Sequence, residues 1–158
     1  MTGTLHFTEL REGGTHDLPQ VNAIMQQAFD PRFGEAWTSA QCLGMLSLPG
    51  VWLVIASLDG EDAGFALARA MAGEAELLLL ATRPAARRRG VARALLRAVI
   101  AEAEARGADK LHLEVRSGND AVRLYRQEGF EKVGERRNYY SGRNGQSFDA
   151  HTYARHMA

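Results

Sequence analysis

The chain of 158 residues contains one cysteine, four prolines and no excess of charge of either sign. Each shortage excludes something. A lone thiol, Cys42, can form neither a disulfide within the chain nor a thiolate zinc cluster, and it fits a reducing cytoplasm. Nineteen basic residues against nineteen acidic ones leave no bulk attraction to nucleic acid or to an anionic membrane. The longest apolar runs, Val51 to Ala56 and Leu77 to Ala81, fall far short of the ~20 residues of a spanning helix. The start MTGTLHFTELREGG lacks the apolar core of a signal segment. The expectation is a cytoplasmic protein with one domain over residues 1–158, and with neither membrane nor nucleic acid as partner. With 46% hydrophobic and 24% charged residues, the composition is that of an ordinary folded domain. A chain of this length hides roughly two thirds of its unfolded surface on folding and needs no covalent staple.

What is present is a clear order of elements. Thr4 to Leu10 alternates Leu5 and Phe7 against His6 and Thr8, which suits a half-buried strand. Asp17 followed by Gln20 reads as an N-terminal capping pair, with Pro19 tolerated in the first turn. Val21, Ile24, Met25, Ala28 and Phe29 then recur at helical spacing until Pro31 ends the helix near Asp30. Thr38 and Gln41 repeat the capping pattern ahead of a second helix that stops before Pro49-Gly50, with Trp37 placed to staple onto Cys42. Three strand-like runs follow, Val51 to Leu58, Gly64 to Met71 and Glu74 to Thr82, divided by Asp59-Gly60 and Ala72-Gly73, both short enough for tight hairpins.

The period then changes. Val91, Leu95, Leu96, Val99, Ile100 and Ala103 mark one face of a helix that Gly107 is placed to end. Leu111, Leu113 and Val115 alternate with His112, Glu114 and Arg116 in a strand. A short helix runs from Asp120 to Glu128, and Gly129-Phe130 opens two terminal strands joined through residues 141–145. A helix between the fourth strand and the next makes those two a parallel crossover pair. The predicted fold is of the mixed α/β class: a mostly antiparallel sheet of about seven strands with one parallel pair, and about four helices on its two faces.

The concentrated positive charge lies between the fourth strand and the best helix. Arg87, Arg88, Arg89, Gly90, Val91, Ala92 and Arg93 occupy a helix start, where backbone N–H groups lack partners and the helix dipole is positive. A phosphate group would be held there, with Gly90 and Ala92 leaving room and the arginines adding charge-assisted bonds. No Gly-Lys-Ser or Gly-Lys-Thr follows, and there is no triple-glycine dinucleotide pattern, so the site calls for a different phosphorylated ligand. Taken alone, the arginine run reads more readily as a solvated helix start than as a phosphate site.

The segment Arg-x-x-Gly-x-Ala after Leu-Leu-Leu-Leu-Ala-Thr-Arg-Pro resembles the acetyl-CoA pyrophosphate loop of the GNAT superfamily of N-acetyltransferases, and the resemblance extends over nearly the whole chain. Leu113 to Arg116, Asn119, Leu124-Tyr125, Gly129-Phe130 and Arg136-Arg137-Asn138-Tyr139-Tyr140 are similar to the bacterial ribosomal-protein-alanine N-acetyltransferases. The resemblance implies that the pantetheine arm pairs with the backbone of Leu80, Ala81 and Thr82. It also implies that the pyrophosphate lies on Arg88 to Arg93 with Arg87 close by, and that Asn119 bonds the cofactor from across the cleft. Glu114 resembles the family's general base and Tyr125 its general acid, with a backbone N–H of the fourth strand, at Ala81, for the oxyanion. The family segment between the Asn and the Tyr is one residue longer than Asn119 to Tyr125, so Tyr125 is better anchored by counting back from Gly129.

Without the resemblance, Glu114 reads as a surface carboxylate paired with Arg116 or a neighbouring strand, and Tyr125 as a half-buried helix aromatic. His112-x-Glu114 lacks the cysteines of a zinc deaminase site, Cys42 reads as a small core residue, and His151 and His156 as solvated side chains; no metal is expected. The activity implied is direct acetyl transfer from acetyl-CoA to an amine, most simply the N-terminus of a protein such as a ribosomal protein beginning with Ala. The alternative is a small amine, since superfamily members share a cofactor site while their acceptor sites diverge. The expected assembly is a monomer or a weak homodimer.

Overall fold

The computed structural model describes residues 8–157. Its elements are β1 (Thr8–Gly13), α1 (Leu18–Ala28), α2 (Ser39–Leu46), β2 (Val51–Leu58), β3 (Glu61–Met71), β4 (Glu74–Thr82), α3 (Val91–Ala105), β5 (Lys110–Arg116), α4 (Ala121–Gln127), β6 (Glu131–Ser141) and β7 (Ser147–His156). The strands form one sheet in the order β1-β2-β3-β4-β5-β7-β6. Only β4 and β5 pair in parallel, through Glu74↔Lys110 to Leu77↔Leu113, and the connection between them is α3, as the change of period predicts.

Each helix forms for a reason visible in its residues. The Thr38 hydroxyl accepts from Gln41 N–H at 3.1 Å, and the Gln41 side chain accepts from Thr38 N–H at 2.7 Å, so α2 starts on the predicted reciprocal cap. α3 buries Val91, Leu95, Leu96, Val99, Ile100 and Ala103 and ends where Gly107 turns left-handed at φ +84°. Its apolar stripe joins Trp52, Ala66, Ala68, Leu77, Leu111, Leu113, Val115 and Tyr125 in one core on that face of the sheet. On the other face α1 and α2 bring Leu18, Val21, Ile24, Met25 and Cys42 onto Leu53, Ile55, Phe65, Leu67, Leu79 and Ala81. Cys42 is a buried core residue, as read, and Trp37 packs against the same cluster.

Three expectations need correction. Asp17 stands at the N-cap of α1 as expected, but its side chain makes no capping bond: its carboxylate accepts from Arg11 at 2.8 Å and from Gly14 N–H at 2.9 Å, making a buried link between β1 and the start of the helix. A partner six residues upstream outcompetes the local cap because it brings a charge. β3 begins at Glu61, three residues ahead of the expected Gly64, since the tight turn at Asp59 and Gly60 lets pairing start at once with Leu58↔Glu61. The first strand runs over Thr8–Gly13, and the Thr4 to Phe7 part of the expected strand lies outside the described residues. No helix is long and apolar enough to cross a membrane among the described residues.

Candidate active site

The site begins with a fault in the sheet. Leu67 faces Leu79 and Ala68 faces Leu77, so Leu78 is an extra residue, a β-bulge in β4. Side chains alternate faces along a strand, and one inserted residue reverses that alternation. Leu77 accordingly enters the α3 core, while Leu79 and Ala81, of the same parity, enter the α1–α2 core. The parallel ladder to β5 ends at Leu77↔Leu113, directly before the bulge. Beyond it β4 continues to Thr82 and β5 to Arg116 with no pairing between them, which leaves a wedge-shaped gap whose sides are backbone.

Register decides which groups line that gap. Arg83 N–H donates to Ala63 O at 2.8 Å, and the β3–β4 pairs Gly64↔Thr82, Phe65↔Ala81 and Ala66↔Leu80 run in step with it. Alternation along an antiparallel ladder then turns the N–H and C=O of Ala81 toward β3 and those of Leu80 and Thr82 toward the gap. The backbone N–H groups that face the gap are therefore those of Leu80 and Thr82, whereas that of Ala81, the one expected from sequence to meet an oxyanion, is turned toward β3. The Thr82 hydroxyl is also buried without a hydrogen-bond partner.

At one end of the gap, the backbone N–H groups of Arg88 through Arg93 have no partner among the described residues, and the first amide of the helix to be bonded is that of Ala94, to Gly90 O at 3.0 Å. Arg88 at φ +63° and Gly90 at φ +83° bend the chain so that this run precedes and opens α3. Gly90 is required by its backbone angle, because a Cβ there would meet nothing within 4 Å. The four arginines divide. Arg88 and Arg89 are exposed with no partner among the described residues. Arg87 donates to Ala28 O at 2.9 Å, capping the end of α1, and Arg93 donates to Gln127 at 2.6 Å. Amides without partners at a helix start, beside free guanidinium groups, fit a phosphate-bearing ligand.

At the other end, Glu114 projects from β5 on the face opposite Leu113 and Val115, and its side chain is 14% exposed. Thr152 donates to one carboxylate oxygen at 2.7 Å and Arg136 Nε lies 3.0 Å from the other. Of the two partners expected from sequence, the neighbouring strand supplies one, Thr152 on β7, whereas Arg116 pairs with Glu35 instead, at 3.3 Å. Tyr125 is buried on α4, edge-on to Phe130, and its hydroxyl has no hydrogen-bond partner among the described residues. Burial, and after it the charge of Glu35, push the phenol well above its ordinary pKa, so Tyr125 stays protonated and able to donate. Asn119 is committed: its amide donates to Glu35 at 2.9 Å, and its carbonyl accepts from Ala121 N–H at 2.8 Å.

Sequence reading missed the roof of this end. The loop before α2 locks onto the β6–β7 hairpin: Arg143 N–H donates to Pro31 O at 3.1 Å, and Phe33 packs edge-on against Phe148 at 5.2 Å. A Cβ on Gly34 would overlap Ser141 O, and one on Gly142 would overlap Arg32 O, so the two backbones touch. Tyr140, within the Arg136 to Tyr140 segment already singled out, sends its hydroxyl to Glu114 O at 3.3 Å. Glu35 and Thr152 carry no local signal, since Glu35 lies 84 positions from the Asn119 it binds. His151 is not solvated as expected: it is half-buried on β7, 3.8 Å from Glu135. No cluster of three or more His, Cys, Asp or Glu able to hold a metal occurs among the described residues.

A sheet split after a bulge, with open amides at a helix start on one side and a carboxylate and phenol on the other, accompanies a clear family match. Residues 18–130 match the acetyltransferase (GNAT) family, and the chain belongs to it. An [Ribosomal protein bS18]-alanine N-acetyltransferase of Escherichia coli is 42% identical over 88 residues, which are 55% of this chain and 60% of that protein. The match thus spans less than two thirds of the length of that curated relative. An N-alpha-acetyltransferase RimI of Mycobacterium tuberculosis is 38% identical over 67% of this chain and 68% of that protein. The crystal structure of the ribosomal-protein-S18-alanine N-acetyltransferase from Escherichia coli superposes with a TM-score of 0.83 at 32% identity, covering 96% of both chains.

Proposed function

We propose that the whole chain is one N-acetyltransferase domain that moves the acetyl group of acetyl-CoA to the N-terminal α-amino group of a protein, the simplest acceptor being a ribosomal protein that begins with Ala. The observation that carries this reading is the gap between β4 and β5, with unpartnered amides of Arg88 to Arg93 at one end and Glu114 and Tyr125 at the other. Acetyl-CoA supplies an acetyl group already activated as a thioester. The exposed Arg88 and Arg89 and the amides of Arg88, Arg89, Gly90, Val91, Ala92 and Arg93 hold its phosphates. Leu80 and Thr82 offer backbone pairing to the pantetheine arm, and one of their N–H groups meets the negative charge that develops on the acetyl oxygen. Ala81 contributes its side of the strand, and Arg87 and Asn119 act at one remove, by holding α1 and the start of α4.

An amine attacks only when neutral, so Glu114 takes its proton, directly or through a water. Tyr125 gives its proton to the departing thiolate, and burial keeps that proton on the phenol across the neutral range until the thiolate leaves. With Cys42 buried away in the α1–α2 core, direct transfer needs no covalent acetyl-enzyme. The test is intact-mass detection of acetyl transfer to three acceptors: a peptide with a free N-terminal Ala, the same peptide blocked at its N-terminus but carrying a Lys, and a pool of small amines. Acetylation confined to the free N-terminus is expected. Labelling of small amines alone would replace the acceptor assignment with the small-amine alternative and leave the cofactor site standing.

A further inference from the structure

Glu35 belongs to none of the groups the reaction needs, yet it is among the best-held carboxylates of the site. It sits in the loop before α2 with its side chain 10% exposed. One oxygen lies 3.3 Å from Arg116 Nε at the end of β5, and the other accepts from the Asn119 amide at 2.9 Å. Arg116 is itself fixed, with its guanidinium 3.7 Å from the Phe33 ring centroid and a bond to Ser117 O at 3.2 Å. Asn119 passes the connection on: its carbonyl accepts from Ala121 N–H, the first residue of the helix on which Tyr125 lies one turn later. A helix of only seven residues has little stability of its own. α4 lacks any side-chain cap from Asp120, so Asn119 is what fixes its start.

We propose that Glu35 is a positioning residue for acetyl transfer, one carboxylate that ties the acceptor-side loop to Arg116 and Asn119 and thereby sets the place of the helix carrying Tyr125. The inference rests on the reading of Tyr125 as the acid. The same loop is latched to the β6–β7 hairpin, so contacts run from the mouth of the acceptor site through Glu35 and Asn119 to the start of the helix that carries Tyr125. The electrostatic influence of Glu35 on Tyr125 and on Tyr140 agrees with its central place. Glu35 touches no reacting atom in this account, and its removal acts on turnover rather than on binding.

The test uses the full chain, with Glu35→Ala, Glu35→Gln, Tyr125→Phe and the double variant Glu35→Ala/Tyr125→Phe. Misplacing a catalytic group slightly costs about ten- to a hundredfold in rate, and Glu35→Ala is expected to lose that much in kcat while KM for peptide and for acetyl-CoA stay within about threefold. Glu35→Gln keeps an oxygen for the Asn119 amide and recovers part of the loss. In the Tyr125→Phe background the effect of Glu35→Ala disappears, because an absent acid cannot be misplaced. Hydrogen exchange at Ala121, without substrate, accelerates in Glu35→Ala. A raised peptide KM with unchanged kcat, or unchanged exchange at Ala121, overturns the proposal; should Glu35→Ala fail to fold, Glu35→Gln carries both measurements. Full activity in Tyr125→Phe would overturn the acid assignment, whereas exchange at Ala121 still reports whether Glu35 positions α4.

Discussion

The two ends of the β4–β5 gap are built on opposite terms. At the donor end the polar groups wait: six successive amides and the guanidinium groups of Arg88 and Arg89 have no partner among the described residues. At the acceptor end almost every polar group is taken, Glu114 by Thr152 and Arg136, Glu35 by Arg116 and Asn119, and Tyr140 by Glu114 O. An open set of amides suits a ligand whose charge replaces water. A preassembled network suits a step that needs fixed geometry, such as the proposed proton transfer, because groups already held pay little ordering entropy when substrate arrives. The difference also appears along the chain, since the donor end comes from one continuous stretch while the acceptor end gathers residues from β5, β6, β7, α4 and the loop before α2.

The sharpest way to break the contrast is at Tyr125, whose hydroxyl has no hydrogen-bond partner among the described residues. Removing a general acid costs about 10²–10⁴ in rate, and Tyr125→Phe is expected to lower kcat within that range while acetyl-CoA binding, followed by calorimetry, holds. Next comes the latch. Gly34→Ala places a Cβ against Ser141 O at a φ of +68°, and a left-handed Ala alone costs about 1–2 kcal/mol. It should loosen the roof, lower the thermal midpoint and raise the peptide KM several-fold, with the acetyl-CoA KM unmoved. Equal changes in both KM values would mean that the two ends are not separable.

Asp17 tests a link that belongs to neither end. Arg11 foremost, and Gly14 N–H, hold its carboxylate below the ordinary range. A depressed folded-state pKa means the contribution is present above the unfolded value of about 3.9 and is lost as pH falls through the folded one. Urea midpoints measured from neutral pH downward should therefore fall more steeply in the wild type than in Asp17→Asn, which starts about 1–3 kcal/mol less stable at neutral pH. Transfer activity per folded molecule should not change. The smallest effect is expected at the donor end: Arg88→Ala and Arg89→Ala each raise the acetyl-CoA KM a few-fold at low salt and less at higher salt, as exposed charge contacts do.

Much of this was legible in one dimension, and the exceptions share a cause. The Thr38–Gln41 cap, the α3 stripe, the Asp59-Gly60 turn and the crossover between β4 and β5 are all set by residues within a few positions of each other. The Arg-rich loop stood out through its own residues, whereas Tyr125 was singled out only through the family resemblance. Asp17 was misread because its partner, Arg11, belongs to another element, and Ala81 because the bulge at Leu78 changes which backbone groups face the gap. For Glu114 the neighbouring-strand alternative held, in Thr152 on β7, while Arg136, two strands away across β7, lies beyond any spacing rule.

The sequence by itself determined the order of the elements, the parallel pair and the place of the arginine-rich helix start, because periodicity, caps and turn residues act locally. Only the tertiary structure decided that Tyr140 reaches Glu114 and that Glu35 joins Arg116 to Asn119, that the arginines divide into free and committed, and that the loop before α2 closes on the β6–β7 hairpin. Those outcomes depend on which distant side chains packing brings within about 3 Å, the range in which hydrogen bonds form.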